Sequence, residues 1–408
     1  MTAKKTRSME KRVLKVYRKE NPSTYFIDRS QKDFHSWESK RVRLFRDLLH
    51  FPIDMFLGKT LIDLGAGTGE NTVQYARWGA TCTLVEMNDL ACARARMIFD
   101  KFAPHPKKHK IINSSIFDFS DRKKYDIVVS NGAIHHTSDK EGAFSIMNDH
   151  LKEGGYLFLG INSKAGCFQR MLQRAIIFRF ARTEEDIVDV AEELFREDIS
   201  RAQKFGKRTR RAIIYDEFVN PKTDYPAVSE VLKWMSDKGL RYYSSYPPIL
   251  LPVFGDSGMR PTTMAQRYPD IGVLAEALWM THKRDDIKEV PWLLDSFRKL
   301  AETQYDLIDY VNDFSPNSPF NCDSFLDMIR RYRSAVGKVD LMRRIGKKQD
   351  PFFRELCAII RPLKRKDKVA IKKRILGSRH IFKGTNGLGM MYFMAYKPTK
   401  EDIKQQAA

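Results

Sequence analysis

Several clusters of residues in this chain have the types and spacing for chemistry. The first is Asp63-Leu64-Gly65-Ala66-Gly67-Thr68-Gly69, set directly after a short apolar run and before a helical stretch. Glycines there let the backbone turn tightly and bring a ligand against main-chain N–H groups. The spacing is G-x-G-x-G, whereas dinucleotide sites use G-x-G-x-x-G. The second is Glu86, at the end of the next apolar run. A carboxylate there can accept both hydroxyls of a ribose. The third is His135-His136, within Ser130-Asn131-Gly132-Ala133-Ile134-His135-His136-Thr137. Histidine titrates near neutral pH and can take a proton from a substrate hydroxyl. For each ring, packing under the loop is the alternative.

These residues need a scaffold, and residues 59–162 read as alternating strands and helices. Strands are expected at 60–64, 81–86, from 110, at 125–130 and at 156–161. Helices are expected at about 70–77, from Asn88 or Asp89 towards Phe102, and from Asp139 to about Leu151. Glu153-Gly154-Gly155 would stop the last of these. Apolar strands separated by helices imply a parallel sheet covered on both faces. Beyond Asn162 the pattern turns helical, at 169–181, 183–198 and 227–238. A strand is expected at 240–246, mostly helix through 248–385, and an apolar strand over 387–396. No internal repeat is present.

The chain has 408 residues and a formal charge of +21. No apolar run approaches the ~18 residues that span a bilayer. The first residues are charged, so a secretory signal is not expected. The five cysteines, Cys82, Cys92, Cys167, Cys322 and Cys357, form no C-x-x-C pair. Neither a zinc site nor a disulfide framework is expected, and a reducing cytoplasm fits. The charge is uneven. Residues 1–58 hold 14 basic and 7 acidic side chains, residues 59–162 hold 13 and 12, and residues 361–383 hold 10 and 1. A basic balance favours anionic partners without choosing among them.

Together the motifs resemble the class I S-adenosylmethionine-dependent methyltransferases. The resemblance covers residues 59–162. It rests on Leu61 to Gly69, Glu86, Tyr125 to Gly132 and Leu151 to Leu157; the His-His pair after strand four is similar to a small-molecule branch. It implies a doubly wound, seven-stranded, mostly parallel α/β sheet with large helical insertions. Strands six and seven would be 240–246 and 388–396, the last antiparallel. The implied division is a basic helical extension (1–58), a cofactor-binding core (59–162) and a helical lid (163–212). A core continuation (213–247), a helical cap (248–385), the last strand (386–397) and a tail (398–408) follow. The implied cofactor is S-adenosylmethionine. Asp63 would sit near its methionine amino group, Gly65, Gly67 and Gly69 would line it, and Glu86 would hold the ribose. Met87 would flank the adenine, with Asn131 close by. The family's adenine-reading acid falls on Ser115, followed by apolar Ile116; Asp118 is the alternative acid. No metal is implied. An NAD- or FAD-type nucleotide fold is the competing reading.

After strand four there is no proline pair of the adenine-amino type, and no cysteine follows a proline as in cytosine-5 enzymes. The expected acceptor is therefore a small molecule methylated at oxygen, with His135 or His136 as base. A tRNA- or rRNA-modifying enzyme using the basic runs 204–211 and 364–374 is the alternative, and a non-enzymatic scaffold a third. His35 and Trp37 can cover the cofactor or pack. Tyr215 and Asp216 can face the pocket, but a surface turn fits better. The basic, apolar stretch 169–180 fits a cap helix better than a membrane surface.

Overall fold

The computed structural model describes residues 3–20, 24–206, 208–249, 290–314, 320–339, 343–383 and 390–407. The chain divides into two compact units. One comprises Met1–Cys167, Arg196–Pro247 and Gly384–Ala408; the other comprises Phe168–Phe195 and Pro248–Lys383.

The first unit holds a 7-stranded sheet in the order β3-β2-β1-β4-β5-β7-β6. Its strands are β1 (Thr60–Leu64), β2 (Thr81–Glu86), β3 (Lys110–Asn113), β4 (Tyr125–Asn131), β5 (Leu151–Asn162), β6 (Arg241–Tyr246) and β7 (Met390–Tyr396). The pairs among β1 to β5 are parallel. β7 runs antiparallel to both β5 and β6. The expected α/β architecture is the one observed. The central strands are near-continuous apolar runs because helices cover both faces. On one face Leu61, Leu84, Val129, Phe158 and Met394 meet Phe45, Phe51, Phe56 and Tyr75 in one buried cluster. Residues 43–56, inside the stretch read as an extension, thus fill the core of the sheet.

Helices α1 (Ala3–Lys19) and α2 (Gln31–Val42) precede the sheet. Between its strands lie α3 (Thr72–Arg77), α4 (Asp89–Phe102) and α5 (Lys140–Asp149). α3 starts two residues later than the sequence suggests, because buried Glu70 is held by the N-terminal segment. α5 ends at Asp149, and Glu153-Gly154-Gly155 is part of β5 instead of a helix stop. The reason is Lys397. Its Nζ donates to the carbonyls of Asn148 and Leu151, and its backbone pairs with Gly154 and Gly155. α6 (Phe168–Phe178) and α7 (Glu184–Gly206) follow. Phe195, at the division between units, leaves helical geometry within α7 (φ −126°, ψ 22°). α8 (Arg210–Ile214) and α9 (Val228–Asp237) complete the first unit before β6.

The described parts of the second unit are helical, with helices at Val290–Asn312, Cys322–Lys338, Arg343–Lys364 and Lys368–Gly377 besides α6 and the start of α7. Residues 250–289, in the expected cap, and 384–389, before the last strand, lie outside the described residues. Among the described residues no helix is long and apolar enough to cross a membrane. Met171–Phe178, within the stretch weighed against a membrane surface, are all buried.

Asp126 locks the start of β1 to β4. Its Oδ2 accepts from Thr60 N (2.8 Å) and Thr60 Oγ1 (2.6 Å), and its Oδ1 meets Lys152 Nζ at 2.8 Å. Burial raises its pKa, but the bonds from Lys152 and Thr60 outweigh it and hold the carboxyl at about 2. A depressed acid stabilises the fold above its unfolded pKa of ~3.9 and loses that contribution as pH falls through the folded value. Asp126→Asn is expected to cost about 1–2 kcal/mol at neutral pH, the difference between charged and neutral hydrogen bonds. The gap to wild type should shrink between about pH 4 and pH 2. Urea unfolding at several pH values measures it, and a gap independent of pH would contradict this account.

Candidate functional site

The glycine loop leaves β1 with Gly65, Gly67 and Gly69 at φ of 78°, 56° and 72°. This left-handed region favours glycine. A Cβ on Gly65 would stand 2.3 Å from the Cβ of Ala133, in the loop after β4, and Ile116 Cδ1 lies 3.8 Å from the same point. The loops after β1, β3 and β4 therefore converge where the sheet order passes from β1 to β4. In open α/β sheets that is the ligand crevice.

Asp63 lies in the buried run of β1, one residue before its end, and is 2% exposed. Its Oδ2 accepts from Thr72 Oγ1 at 2.5 Å, while Oδ1 is buried without a hydrogen-bond partner. Burial pushes its carboxyl up to about 7, against the Thr72 bond and the charge of Arg41, which both pull it down. Glu86, at the end of β2, accepts from Gly67 N through Oε2 (2.8 Å) and from Asn88 N through Oε1 (2.9 Å). Burial raises its pKa, and these N–H bonds oppose the rise. Met87 follows at the rim, half-buried. A carboxylate has about four acceptor positions, so Glu86 keeps capacity for hydroxyls. Asn131 closes β4, with Oδ1 buried and without a partner. Ile116 is buried at the loop, while the Ser115 hydroxyl accepts from Phe117 N (3.1 Å). Asp118 is exposed. Unmatched acceptors at Asp63 and Asn131, a glycine cradle and a spare carboxylate suit a nucleoside with a cationic amino-acid end.

The histidines differ. His135 is 1% exposed, between Tyr225 (ring centroids 5.4 Å) and His136 (4.2 Å), with Nε2 3.5 Å from Asn162 Nδ2. His136 lies nearer the surface. Its Nδ1 is 3.0 Å from the carbonyl oxygen of Lys222 and 3.1 Å from Asn220 Nδ2. Its Nε2 faces Asp216 Oδ1 at 3.9 Å. Asp216 also accepts from Tyr17 Oη (3.1 Å) and pairs with Arg208 Nη1 (2.8 Å). Neighbouring Tyr215 is fully buried. The surface turn expected at Tyr215-Asp216 is therefore an interior wall. An amphipathic reading cannot find it, because the residues that bury it stand far away in the sequence.

Other partners were also beyond sequence reasoning. Glu70, 1% exposed, accepts from the backbone N–H of Tyr25, from Ile27 N (3.4 Å), from Thr24 Oγ1 (3.3 Å) and from Arg94 Nη2 (3.1 Å). Trp37 donates to the Glu70 carbonyl (3.2 Å), stacks on Tyr25 at 4.2 Å and packs against the core cluster. His35 points outward and meets Glu38 at 3.4 Å. In the basic run 204–211, Arg208 serves Asp216, and Arg211 serves Glu20 (3.0 Å) and Tyr215 Oη (3.0 Å). Lys207 lies outside the described residues.

Residues 34–184 match a protein family described as a methyltransferase domain. No curated protein matches the chain. Solved structures align over part of it. The YcgJ protein of Bacillus subtilis is 14% identical over 51% of this chain and 69% of its own, with a TM-score of 0.31. The glycopeptide N-methyltransferase MtfA is 20% identical over 27% and 50%, with a TM-score of 0.25. Magnesium protoporphyrin IX methyltransferase from Synechocystis PCC 6803 is 16% identical over 26% and 50%, with a TM-score of 0.24. The family match spans the stretch that holds the glycine loop, Glu86 and both histidines.

Asp63 carries a stability consequence. An acid whose folded pKa is raised binds its proton more tightly when folded, so stability falls as pH rises from ~4 towards 7. Asp63→Asn keeps an acceptor for Thr72 and removes the buried charge. Without ligand, it should gain stability over wild type between about pH 5 and pH 8, by up to ~4 kcal/mol for a shift of about three pKa units. Urea denaturation at both ends checks this; a constant difference would count against it.

Proposed function

We propose that this enzyme methylates an oxygen of a small-molecule acceptor, with His136 as the general base. The observation that supports the reading is that His136 follows, by three residues, the Ala133 that meets Gly65 of the glycine loop, and stands beside Asp216. One ring nitrogen lies at a carbonyl that can only accept, and the other faces a carboxylate. Of the two tautomers, the one in which Nδ1–H donates to the Lys222 carbonyl leaves the lone pair on Nε2, and the one in which Nδ1 accepts from Asn220 places the proton there. Once Nε2 takes the acceptor's proton, the imidazolium is stabilised by Asp216 on one side and the Lys222 carbonyl on the other. Bound S-adenosylmethionine supplies an electrophilic methyl group. Asp63 and Asn131 would hold its amino-acid end, and Gly65, Gly67 and Gly69 would lie along it. Glu86 would take the ribose hydroxyls, with Met87, Ser115 and Ile116 around the base. His135, buried against Tyr225, positions the loop. Positioning supplies much of the rate in an in-line transfer.

Internal use of Arg208 and Arg211 supports a small acceptor, because each guanidinium already pairs with a carboxylate of this chain. RNA as acceptor is a second reading. Arg365, Lys366, Lys373 and Arg374 favour it, being exposed with no carboxylate within ion-pair distance among the described residues. Four of the five thiols are buried and none is in a disulfide, which supports a reducing, cytoplasmic setting.

The enzyme should transfer label from tritiated S-adenosylmethionine into a low-molecular-weight cell fraction and not into total RNA. His136→Ala should slow this about 10²–10⁴-fold, with calorimetric affinity for the cofactor unchanged. Glu86→Ala should instead weaken cofactor binding about tenfold or more, since it loses charge-assisted bonds of ~1.5–3 kcal/mol each. Label in RNA would overturn the acceptor class, and full activity of His136→Ala would overturn the base.

A further inference from the structure

The second unit carries a basic surface on the helix Lys368–Gly377 and the turn before it. Residues 361–383 hold 10 basic side chains and 1 acidic one. That acid, Asp367, is occupied, because its Oδ1 accepts from Ala370 N at 2.9 Å and caps the helix. Lys364 pairs with Asp323 (2.7 Å), and Lys368 and Lys372 both reach Glu193 (2.5 and 3.3 Å). These pairs tie the helix to the rest of the unit. Arg365 and Lys366 in the turn, and Lys373 and Arg374 on the helix, are exposed. Among the described residues no carboxylate lies within ion-pair distance of these four. Like charges gathered this way repel one another and favour an anionic partner.

Apolar side chains stand among these cations. Val369 is 80% exposed and Leu376 53%. Apolar residues scattered singly over a surface need no explanation. Val369, Lys373 and Leu376 are not scattered: they fall at i, i+4 and i+7, so all three share one side of the helix. Ile371 and Ile375, on the other side, are buried. The helix thus has an inner apolar face that holds it to the unit and an outer face on which apolar and cationic tips project together.

A phosphate backbone would match the cations and leave Val369 and Leu376 in water. Nucleic-acid recognition also uses aromatic rings to stack on bases, and Asn or Gln to read adenine. Residues 361–383 contain no Asn, Gln, Trp or Tyr, and their one Phe, Phe382, is buried. An anionic bilayer surface satisfies both halves of the pattern. Its phosphates and carboxylates meet the cations, and the boundary between headgroups and acyl chains accepts the apolar tips. We propose that this face docks the enzyme on an anionic membrane surface, with Arg365, Lys366, Lys373 and Arg374 as the charged contacts and Val369 and Leu376 as the inserted ones.

Flotation of the full chain with lipid vesicles tests it. Vesicles of phosphatidylcholine with about one part in three phosphatidylserine should carry the protein, and vesicles of phosphatidylcholine alone should not. Arg365→Gln, Lys366→Gln, Lys373→Gln and Arg374→Gln combined should weaken binding at least about a hundredfold, at roughly fivefold for each cation lost. Val369→Ser with Leu376→Ser should weaken it about tenfold or more. Both variants should keep the wild-type melting temperature, because all six side chains are exposed. Equal flotation with the two compositions would overturn the inference, and so would a serine variant that floats like wild type. No flotation with either, together with duplex RNA binding that the four glutamine changes abolish, would assign the face to nucleic acid instead. If one variant fails to fold, the two vesicle compositions and the other variant still decide.

Discussion

The carboxylate of Glu86 is the constraint on which the rest of the site depends. One oxygen holds the N–H of Gly67 in the loop after β1, and the other holds the N–H of Asn88, which caps α4. The loop is thereby tied to the end of the next strand. Because Gly65 stands against Ala133, the loop after β4 that leads to His136 is positioned by the same contact. The glycine loop and the loop that leads to His136 are parts of one arrangement at the point where strand order reverses. That is what positioning catalysis needs.

Around this arrangement the dominant energetic theme is buried charge supplied with partners from the N-terminal segment. Tyr17 serves Asp216, the backbone of Tyr25 and Ile27 serves Glu70, and the charge of Arg41 acts on Asp63. Unpaired, each of these acids would carry a desolvation penalty of several kcal/mol. The basic balance of residues 1–58 is in this light partly structural. Arg18 pairs with Asp89, Arg41 is buried in the core, and Glu20 anchors Arg211. A positive count along a sequence overstates the charge on offer to an anionic partner.

How much was legible varied with the distance between interacting residues. The strands of residues 60–64, 81–86 and 125–131 were readable because each is a local apolar run with its stop signals beside it. The end of α5 is not legible locally, because Lys397, nearly 250 residues away, donates to its Asn148 carbonyl. The setting of Asp216 is hidden for a similar reason, since Tyr17 and His136, far away in the sequence, stand beside it. Of the histidines, nothing local distinguishes His135 from His136, yet one is sealed against Tyr225 and the other faces a carboxylate.

By itself the sequence determined the class of sheet, the glycine turn after strand one and the acid after strand two. Each depends on residue types within a few positions of one another, and backbone geometry follows from such short patterns. The tertiary structure alone decided which acids are orphaned, which arginines are spoken for and which histidine has a carboxylate at hand. Those properties belong to burial and to through-space charge, and both arise only when residues from opposite ends of the chain share one low-dielectric interior.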